Sequence, residues 1–569
     1  MTPRPALRER CLAWALLLAL LAGIVLAVTG RRLPAAAGLD APPELFSAAR
    51  ARRVLDGIAR SPHPVGSGEH ECVRERLVEE ITSLGLACQE QTGMVGGTPL
   101  TNLVARIPGT ASTGTVLCLA HYDSVPTGPG AGDDGVGVVA WLEALRTLGA
   151  RGWLPRNDVL LLLSDGEELG LKGADLFAST EPVVEDVEVV LNLEAIGNGG
   201  PAVLFELGPQ NGARVREFAR AVRAPTGTSL GDSVYRRMPN DTDLTVFLQR
   251  GIGGFNLALT CGSPAYHAPH DTPANLDPRS LQHMGECALT LLERVGDLDL
   301  DRELDGSDVT FFDLLGRWIV VYPRALDVLA TGAGAVLLLF ARRRAQLGWH
   351  ETPGLAVAHG IAVAVPAVFL AGSFGLMDVL GALATPRLAW IPGNTSTGAL
   401  LFAGLVLAVA GLEVSRPDEP EESTARRALG ALVAWSTAAL LALALFPGAT
   451  FVLVWPLVLA AIGLLAWRSG KSRFLVAAAL VLGLGATLLV ALPILHLLVQ
   501  LFQRRPMAVA LVAGLALASG AALFAPHFRA LRRGAAWAGP VLFALGLSAL
   551  LAAVFVARAL GWRQGALWA

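Results

Sequence analysis

The sequence predicts an α/β domain, a sheet covered by helices, joined to a polytopic α-helical membrane region. Three observations carry that expectation. The chain has 569 residues, 53% of them hydrophobic and only 16% charged, with a mean hydropathy of +0.51, too apolar for an ordinary soluble protein of this length. Its apolar residues cluster into runs long enough to cross a bilayer, one before residue 30 and the others after about residue 310. Between them, short apolar strands alternate with amphipathic helical stretches, the pattern of a helix-covered sheet.

The first run, "LAWALLLALLAGIVLAVT" from Leu12 to Thr29, can span a hydrocarbon core of about 30 Å as a helix. It follows Arg4, Arg8 and Arg10. Its apolar core is longer than that of a cleaved signal peptide, so residues 1–30 are expected to be a retained transmembrane anchor, although Ala35-Ala36-Ala37 could pass for a cleavage site. Either way the segment that follows is exported.

Residues 31–310 have the length and mixed polarity of one α/β domain. Strands are expected in "TNLVARIPG", "TVLCLAHYD", "DVLLLLSDG", "EVVLNLEAIG", "AVLFELG" and "GGFNLALT". Helices are expected in "LFSAARARRVLDGIA" and "EHECVRERLVEEITSLG", which carry one apolar face, and in "DPRSLQHMGECALTLLERV", where Asp277 caps the helix ahead of Pro278.

From 311 to 569 about eight further spans are expected, near 324–341, 355–380, 398–414, 428–447, 450–467, 474–500, 507–526 and 535–557. Placing Arg342, Arg343 and Arg344 in the cytoplasm also puts there Arg416, Arg426 and Arg427, then Arg468, Lys471 and Arg473, then Arg529, Arg532 and Arg533. The other side receives Arg387, Arg504, Arg505, Arg558 and Arg563, of which Arg504-Arg505 is discordant. This bias predicts a multi-pass membrane protein whose α/β domain lies outside the cytoplasm. Only Lys172 and Lys471 among the 45 basic residues are lysines, a bias expected of a GC-rich bacterium and hence of a bacterial inner membrane with a periplasmic domain.

Net charge is −3 and no basic run resembles a nucleic-acid footprint, so nucleic acid is excluded as a partner. The six cysteines, Cys11, Cys72, Cys88, Cys118, Cys261 and Cys287, form no Cys-x-x-Cys pair, and their spacing demands no disulfide. Polar groups within the spans, His359, Asp378, His496 and His527, lie mostly near span edges, which favours anchoring over a transport pathway.

Chemistry gathers at strand ends, where ligand sites of open α/β sheets form. "TVLCLA" ends in His121-Tyr122-Asp123; the next loop carries Asp133-Asp134; "VLLLLSD" runs into Glu167-Glu168; "VVLNLEAIG" delivers Glu194; and "SPAYHAPHDTP" offers His267. Adjacent like charges raise each other's pKa, and an unpartnered buried carboxylate costs several kcal/mol. Something positive is therefore expected among them. Two histidines and three or more carboxylates suit two divalent ions, because zinc takes imidazole and carboxylate oxygen at about 2.0–2.2 Å and paired catalytic metals sit about 3.5–4 Å apart with a bridging group. Asp133 can bridge.

Over about residues 45–300, the motifs "PHPVGSGEHECVRERL", "HYDS", "GAGDDGVG", "SDGEELGLKGA", "NLEAIG" and "YHAPHDT" resemble the M28 family of zinc metallopeptidases, in its membrane-bound branch. The resemblance implies an aminopeptidase-like (zinc exopeptidase) fold with a central mixed sheet flanked by helices. It also implies two Zn2+ ions, with other divalent metals open, and a peptide or protein substrate. His121 and Glu194 would hold one metal, Glu168 and His267 the other, and Asp133 both. Glu167 would be the general base, Asp123 would orient His121, and Tyr266 could stabilise an oxyanion. Glu194 stands where soluble members usually carry Asp. His270 is expected in solvent or at the pocket, and Asp134 to cap the next helix or touch metal. In "MPNDTDLTVF", Asn240 replaces a family Ser, and Asp241 or Asp243 is expected to cap a helix or line the pocket.

The function expected is removal of N-terminal residues by metal-activated water. Two rivals stand beside it: a catalytically idle binding or scaffold protein that uses the cleft for recognition, and glutaminyl-cyclase-like amide chemistry. Oligomeric state is left open.

Overall fold

The computed structural model describes residues 7–262, 265–300, 304, 306–344, 354–361, 395–467, 473–501, 517 and 520–549. By contact the chain divides into two compact units, Arg31–Pro323 and, separately, Met1–Gly30 with Arg324–Ala569.

The first unit is built on a seven-stranded mixed sheet. In chain order its strands are β1 (Cys88–Val95), β2 (Thr98–Ile107), β3 (Thr115–His121), β4 (Asp158–Ser164), β5 (Val187–Ala195), β6 (Gly199–Glu206) and β7 (Gly254–Cys261), arranged β1-β2-β4-β3-β5-β7-β6. The four inner strands β4, β3, β5 and β7 run parallel, while β1, β2 and β6 are antiparallel to their neighbours. The chain leaves β3 first toward β4 and then returns to β5 on its other side, so the order reverses at β3. Loops diverge there and leave a crevice beyond the carboxyl ends of the strands.

The four leucines before the acidic run have a simple physical account. Alternate residues of a strand face opposite sides, and Leu161 and Leu163 join one buried cluster while Leu160 and Leu162 join another. β3 divides in the same way, Val116, Cys118 and Ala120 against Leu117 and Leu119. The first cluster is closed by helices α2 (Ala48–Ile58), α3 (Gly68–Ser83), α4 (Gly135–Ala150) and α9 (Pro278–Gly296), the second by α5 (Lys172–Thr180) and α8 (Asp243–Leu248). Each fully buried Leu contributes on the order of 1.5–3 kcal/mol, and only a sheet buried on both faces gains this from every residue of such a run.

The expected strands and helices are all present, with ends shifted by a few residues. Asp277 accepts from the Arg279 N–H, with Pro278 in the first turn of α9. Strand β1 was not expected. It is an edge strand with a largely polar, half-exposed pattern, joined to β2 through the Gly96-Gly97 turn, where both φ values are positive. Helices α6 (Gly212–Ala221) and α7 (Ser229–Tyr235) complete this part, and a hairpin, β8 (Val309–Leu314) and β9 (Trp318–Pro323), packs into the unit through Phe311. All six cysteines are free thiols.

In the second unit, α1 (Leu7–Thr29) packs along the helix Arg473–Leu501, with Gly23 against Leu488 and the Trp14 and Trp537 rings 5.4 Å apart. Among the described residues four helices are long and apolar enough to cross a membrane: Arg10–Thr29, Ala325–Arg343, Glu421–Leu445 and Pro447–Leu465. Shorter apolar helices cover Ala403–Ser415, Val481–Leu495 and Ala538–Ala549. The end of Thr395–Ser415 is capped by Arg532, which donates to the carbonyls of Glu413, Val414 and Pro417 at 2.9, 3.1 and 2.6 Å, the interaction that cations make with unsatisfied C-terminal carbonyls. Most of the expected spans 355–380 and 507–526 lie outside the described residues, as do Asp378, Arg387, Arg468, Lys471, Arg504, Arg505, Arg558 and Arg563.

Candidate metal centre

The crevice beyond β3 collects side chains from four parallel strands. His121 is the last residue of β3, Glu194 the penultimate residue of β5, Glu167 and Glu168 form a short 3-10 turn after β4, and His267 lies on the loop after β7. Asp133 comes from the loop between β3 and α4, and the Asp133–Asp134 peptide is cis.

Their atoms converge in two trios, His121 with Asp133 and Glu194, and Asp133 with Glu168 and His267; within each trio the potential ligand atoms lie within 4.8 Å of one another. His121 Nε2 is 3.3 Å from Asp133 Oδ1 and 3.9 Å from Glu194 Oε2. His267 Nε2 is 3.1 Å from both Asp133 Oδ2 and Glu168 Oε2. Asp133 thus turns one oxygen toward each trio.

Two observations test whether metal fits. Ligands about 2.0–2.2 Å from a tetrahedral zinc sit roughly 3.4 Å apart, which is the range of the separations above. The buried atoms Asp133 Oδ2, Glu168 Oε1 and His267 Nε2 have no aligned hydrogen-bond partner although their neighbours are close. Such groups are costly to bury unless something else satisfies them. The donor set fits a pair of divalent cations.

Electrostatics agrees. Burial pushes the Glu194 carboxyl up to about 8, and pushes those of Glu167, Glu168 and Asp134 above the ordinary range, with neighbouring carboxylates adding to the effect. Burial alone would lower the imidazoles, yet Asp123 and Asp133 hold His121 well up, and Asp133 and Glu168 hold His267 up to about 9. Burial would raise Asp133, but the two imidazoles keep it below its usual value. Crowded carboxylates at such a site favour a bound cation, whose charge would offset them.

A second layer holds these groups. Asp123 Oδ1 lies 3.4 Å from His121 Nδ1, while its two oxygens accept from the backbone N–H groups of Glu167 and Glu168 at 3.1 and 3.3 Å. Asp123 therefore holds both groups, the acidic turn through its carboxylate and the ring through its backbone carbonyl, 3.1 Å from His121 Nδ1. Asp271, within "YHAPHDT", is a site residue that no expectation covered; its carboxylate accepts from Gly132 N at 2.7 Å and Asp133 N at 3.1 Å, and burial followed by the charge of Asp133 pushes it up to about 7. Asn192 Nδ2 donates to Glu194 Oε1 at 3.3 Å and to Asn256 Oδ1 at 3.0 Å. The signal for Asn192 was available: it stands two residues before Glu194 and so shares its face of the strand.

Tyr266 stacks on the His267 ring with centroids 3.8 Å apart and planes 20° from parallel. His267 itself has a φ of 55°, the left-handed region. Asp134 caps α4, accepting from Gly137 N at 3.1 Å. His270 is exposed. Neither Asp241 nor Asp243 caps: Thr242 and Thr245 form a reciprocal capping box on α8, which leaves the Asp243 carboxylate buried as acceptor of the Ser164 hydroxyl.

Residues 102–292 match the model of peptidase family M28. Endoplasmic reticulum metallopeptidase 1 of Mus musculus is 30% identical over 352 residues, covering 56% of this chain and 39% of that protein. The vacuolar membrane protease of Eremothecium gossypii is 33% identical over 299 residues, covering 47% of this chain and 29% of that protein. The matches thus span well under half the length of these curated relatives. Among solved structures, a Zn-dependent exopeptidase from Parabacteroides distasonis covers 44% of this chain and 99% of its own at 20% identity and a TM-score of 0.37. A glutaminyl cyclase from Porphyromonas gingivalis covers 44% and 98% at 22% identity, also with a TM-score of 0.37. Residues 102–292 thus match an M28 peptidase domain, within a chain that carries helices long and apolar enough to cross a membrane.

Proposed function

We propose, on the premise of that M28 domain, that the protein is a membrane-bound aminopeptidase that uses two zinc ions. The observation that carries the reading is the placement of Asp133, with one carboxylate oxygen facing each of two trios. His121 and Glu194 would hold one ion, Glu168 and His267 the other, and Asp133 both. When bound, such a pair supplies an acidified water and an electrophile for the scissile carbonyl.

The chain's own residues do the rest. Glu167 is half-buried on a turn pinned by Asp123. Its carboxylate takes a proton from the attacking water and passes it to the nitrogen of the departing amine, general acid–base work worth about 10²–10⁴ in rate. Asp123 keeps His121 in one orientation and prevents the turn from drifting. The Tyr266 phenol, held neutral by burial and the surrounding carboxylates, donates to the oxygen on which charge builds. The domain faces away from the cytoplasm on the strength of the arginine distribution, and the scarcity of lysine favours the inner membrane of a bacterium.

Glu167→Gln keeps the shape of the site and removes the proton acceptor. The purified variant should bind zinc as the parent does, two per chain by metal analysis, while turnover of peptides with a free N-terminus falls by about 10²–10⁴. N-blocked peptides should be poor substrates of the parent. Near-parental turnover by the variant would remove Glu167 from its role, and equal cleavage of blocked peptides would replace aminopeptidase by endopeptidase.

A further inference from the structure

Three buried side chains lie in a row behind the metal centre, and the proposed hydrolysis gives no task to two of them. Asn192 on β5 pairs across the sheet with Asn256 on β7, and Asn256 with Glu206 on the edge strand β6. Side chains at paired positions project on the same side of a sheet, so the three stand abreast. Asn192 and Asn256 are wholly buried and Glu206 is 5% exposed. Glu194, two residues beyond Asn192, shares that side.

Hydrogen bonds run along the row in one direction. Asn256 Nδ2 donates to Glu206 Oε2 at 3.0 Å and to the Thr242 hydroxyl oxygen at 2.8 Å, which leaves its Oδ1 for Asn192. Asn192 Nδ2 donates there at 3.0 Å and to Glu194 Oε1 at 3.3 Å. Asn192 Oδ1 is buried and has no hydrogen-bond partner among the described residues. An orphaned carbonyl is costly, so the amide does not choose this orientation for itself; its neighbours impose it. An amide can offer either edge and a hydroxyl can donate or accept, whereas an ionised carboxylate only accepts. Glu206 therefore fixes the direction from the far end of the row. Burial pushes its carboxyl up to about 7 and the Asn256 N–H pulls the other way, so it is ionised in mildly alkaline solution.

We infer that Glu206 is a positioning residue for the metal centre, acting through Asn256 and Asn192 to hold Glu194 with Oε1 bonded and Oε2 directed at His121. Glu194 Oε2 lies 3.9 Å from His121 Nε2. Without an acceptor at position 206, Asn256 can present its amide nitrogen to Asn192. Asn192 then turns its carbonyl toward Glu194, and two acceptors face each other. The inference rests on the proposed metal site, because its readout is the ion that His121 and Glu194 would hold.

Zinc competition against a chromophoric chelator, on the full chain in lipid nanodiscs at mildly alkaline pH, tests this. Glu206→Leu should weaken one of the two ions by about 10–100-fold, the range for outer partners of metal ligands. Adding Asn256→Asp should restore the parental affinity, because a carboxylate at position 256 can only accept from Asn192 and needs no partner at 206 to set its direction. Should Glu206→Leu fail to fold, Glu206→Met, closer in shape and without an oxygen acceptor, gives the same comparison. Parental affinity in the single variant overturns the inference. So does an equal loss in the single and double variants, which a packing defect alone would produce. The stoichiometry of the parent is judged separately: one ion per chain removes the two-zinc reading, and Glu206 then stands or falls by loss and rescue at that ion. No bound zinc in the parent overturns both.

Discussion

Asp271 shows how much of the centre rests on a residue that touches no ligand atom. Its two oxygens take the N–H groups of Gly132 and Asp133, which sets the backbone from which the shared carboxylate projects. Asp271→Ala leaves both donors buried and unsatisfied, whereas Asp271→Asn keeps one acceptor. Second-layer partners of metal ligands are worth about 10–100-fold in affinity. Zinc competition against a chromophoric chelator should show a weakening of about that size for the alanine variant and a smaller one for asparagine. Parental affinity in the alanine variant would show that the loop holds its shape without Asp271. Asp123 plays the corresponding part for His121, and there His-x-Asp spacing makes the pairing legible. Asp271 has no such signature, since its partners are backbone groups 138 and 139 residues away.

At the scale of elements, the turn that carries Glu167 and Glu168 is held by close packing of α5 against the end of β4. Asn102 accepts from Asp165 N at 2.9 Å and donates to the Gly173 carbonyl at 2.8 Å, stitching β2, β4 and α5 together. A Cβ on Gly173 would lie 2.3 Å from the Asp165 carbonyl oxygen and 2.5 Å from Asn102 Oδ1. Gly173→Ala should therefore cost about 1–3 kcal/mol by overpacking, read as a lowered Tm of the solubilised protein, with a loss of turnover as the turn shifts. Gly149→Ala is the control, because nothing lies within 4 Å of its Cβ position in α4. Equal melting temperatures for the two variants would refute the packing argument. The same scale explains why β1 escaped the sequence pattern. It is an edge strand with one face in water, so its residues lack the apolar run that reveals β3 and β4.

The whole molecule combines a unit built on a helix-covered sheet and a unit rich in apolar helices within one chain. Which side of a membrane the Arg31–Pro323 unit would occupy is a matter of charge bias across loops, for which insertion favours cytoplasmic arginine. Vesicles of opposite sidedness should report it: protease added outside should degrade the Arg31–Pro323 unit in right-side-out spheroplasts and spare it in inverted membrane vesicles. Degradation only in the inverted vesicles would place the metal centre in the cytoplasm and reverse the orientation.

The periodicity of the chain by itself determined that an α/β sheet is present, that apolar helices flank it, and that acids and histidines sit at strand ends, because alternation and run length are local properties that burial imposes on every residue. His121, Asp133-Asp134, Glu167-Glu168, Glu194 and His267 stand out for the same reason, at or just past strand ends, whereas the choice among them of His121, Asp133, Glu168, Glu194 and His267 as ligands is what the resemblance to M28 peptidases implies. Only the tertiary structure decided that β3 sits between β4 and β5, so that those strand ends share one crevice and Asp133 faces two trios. It alone also decided that Asp271, Asn192 and Arg31 meet partners remote in sequence or on another strand, Arg31 the carboxylate of Asp313. Such pairings follow from sheet order and loop closure, which depend on the whole chain packing at once and leave no mark in any short stretch of it.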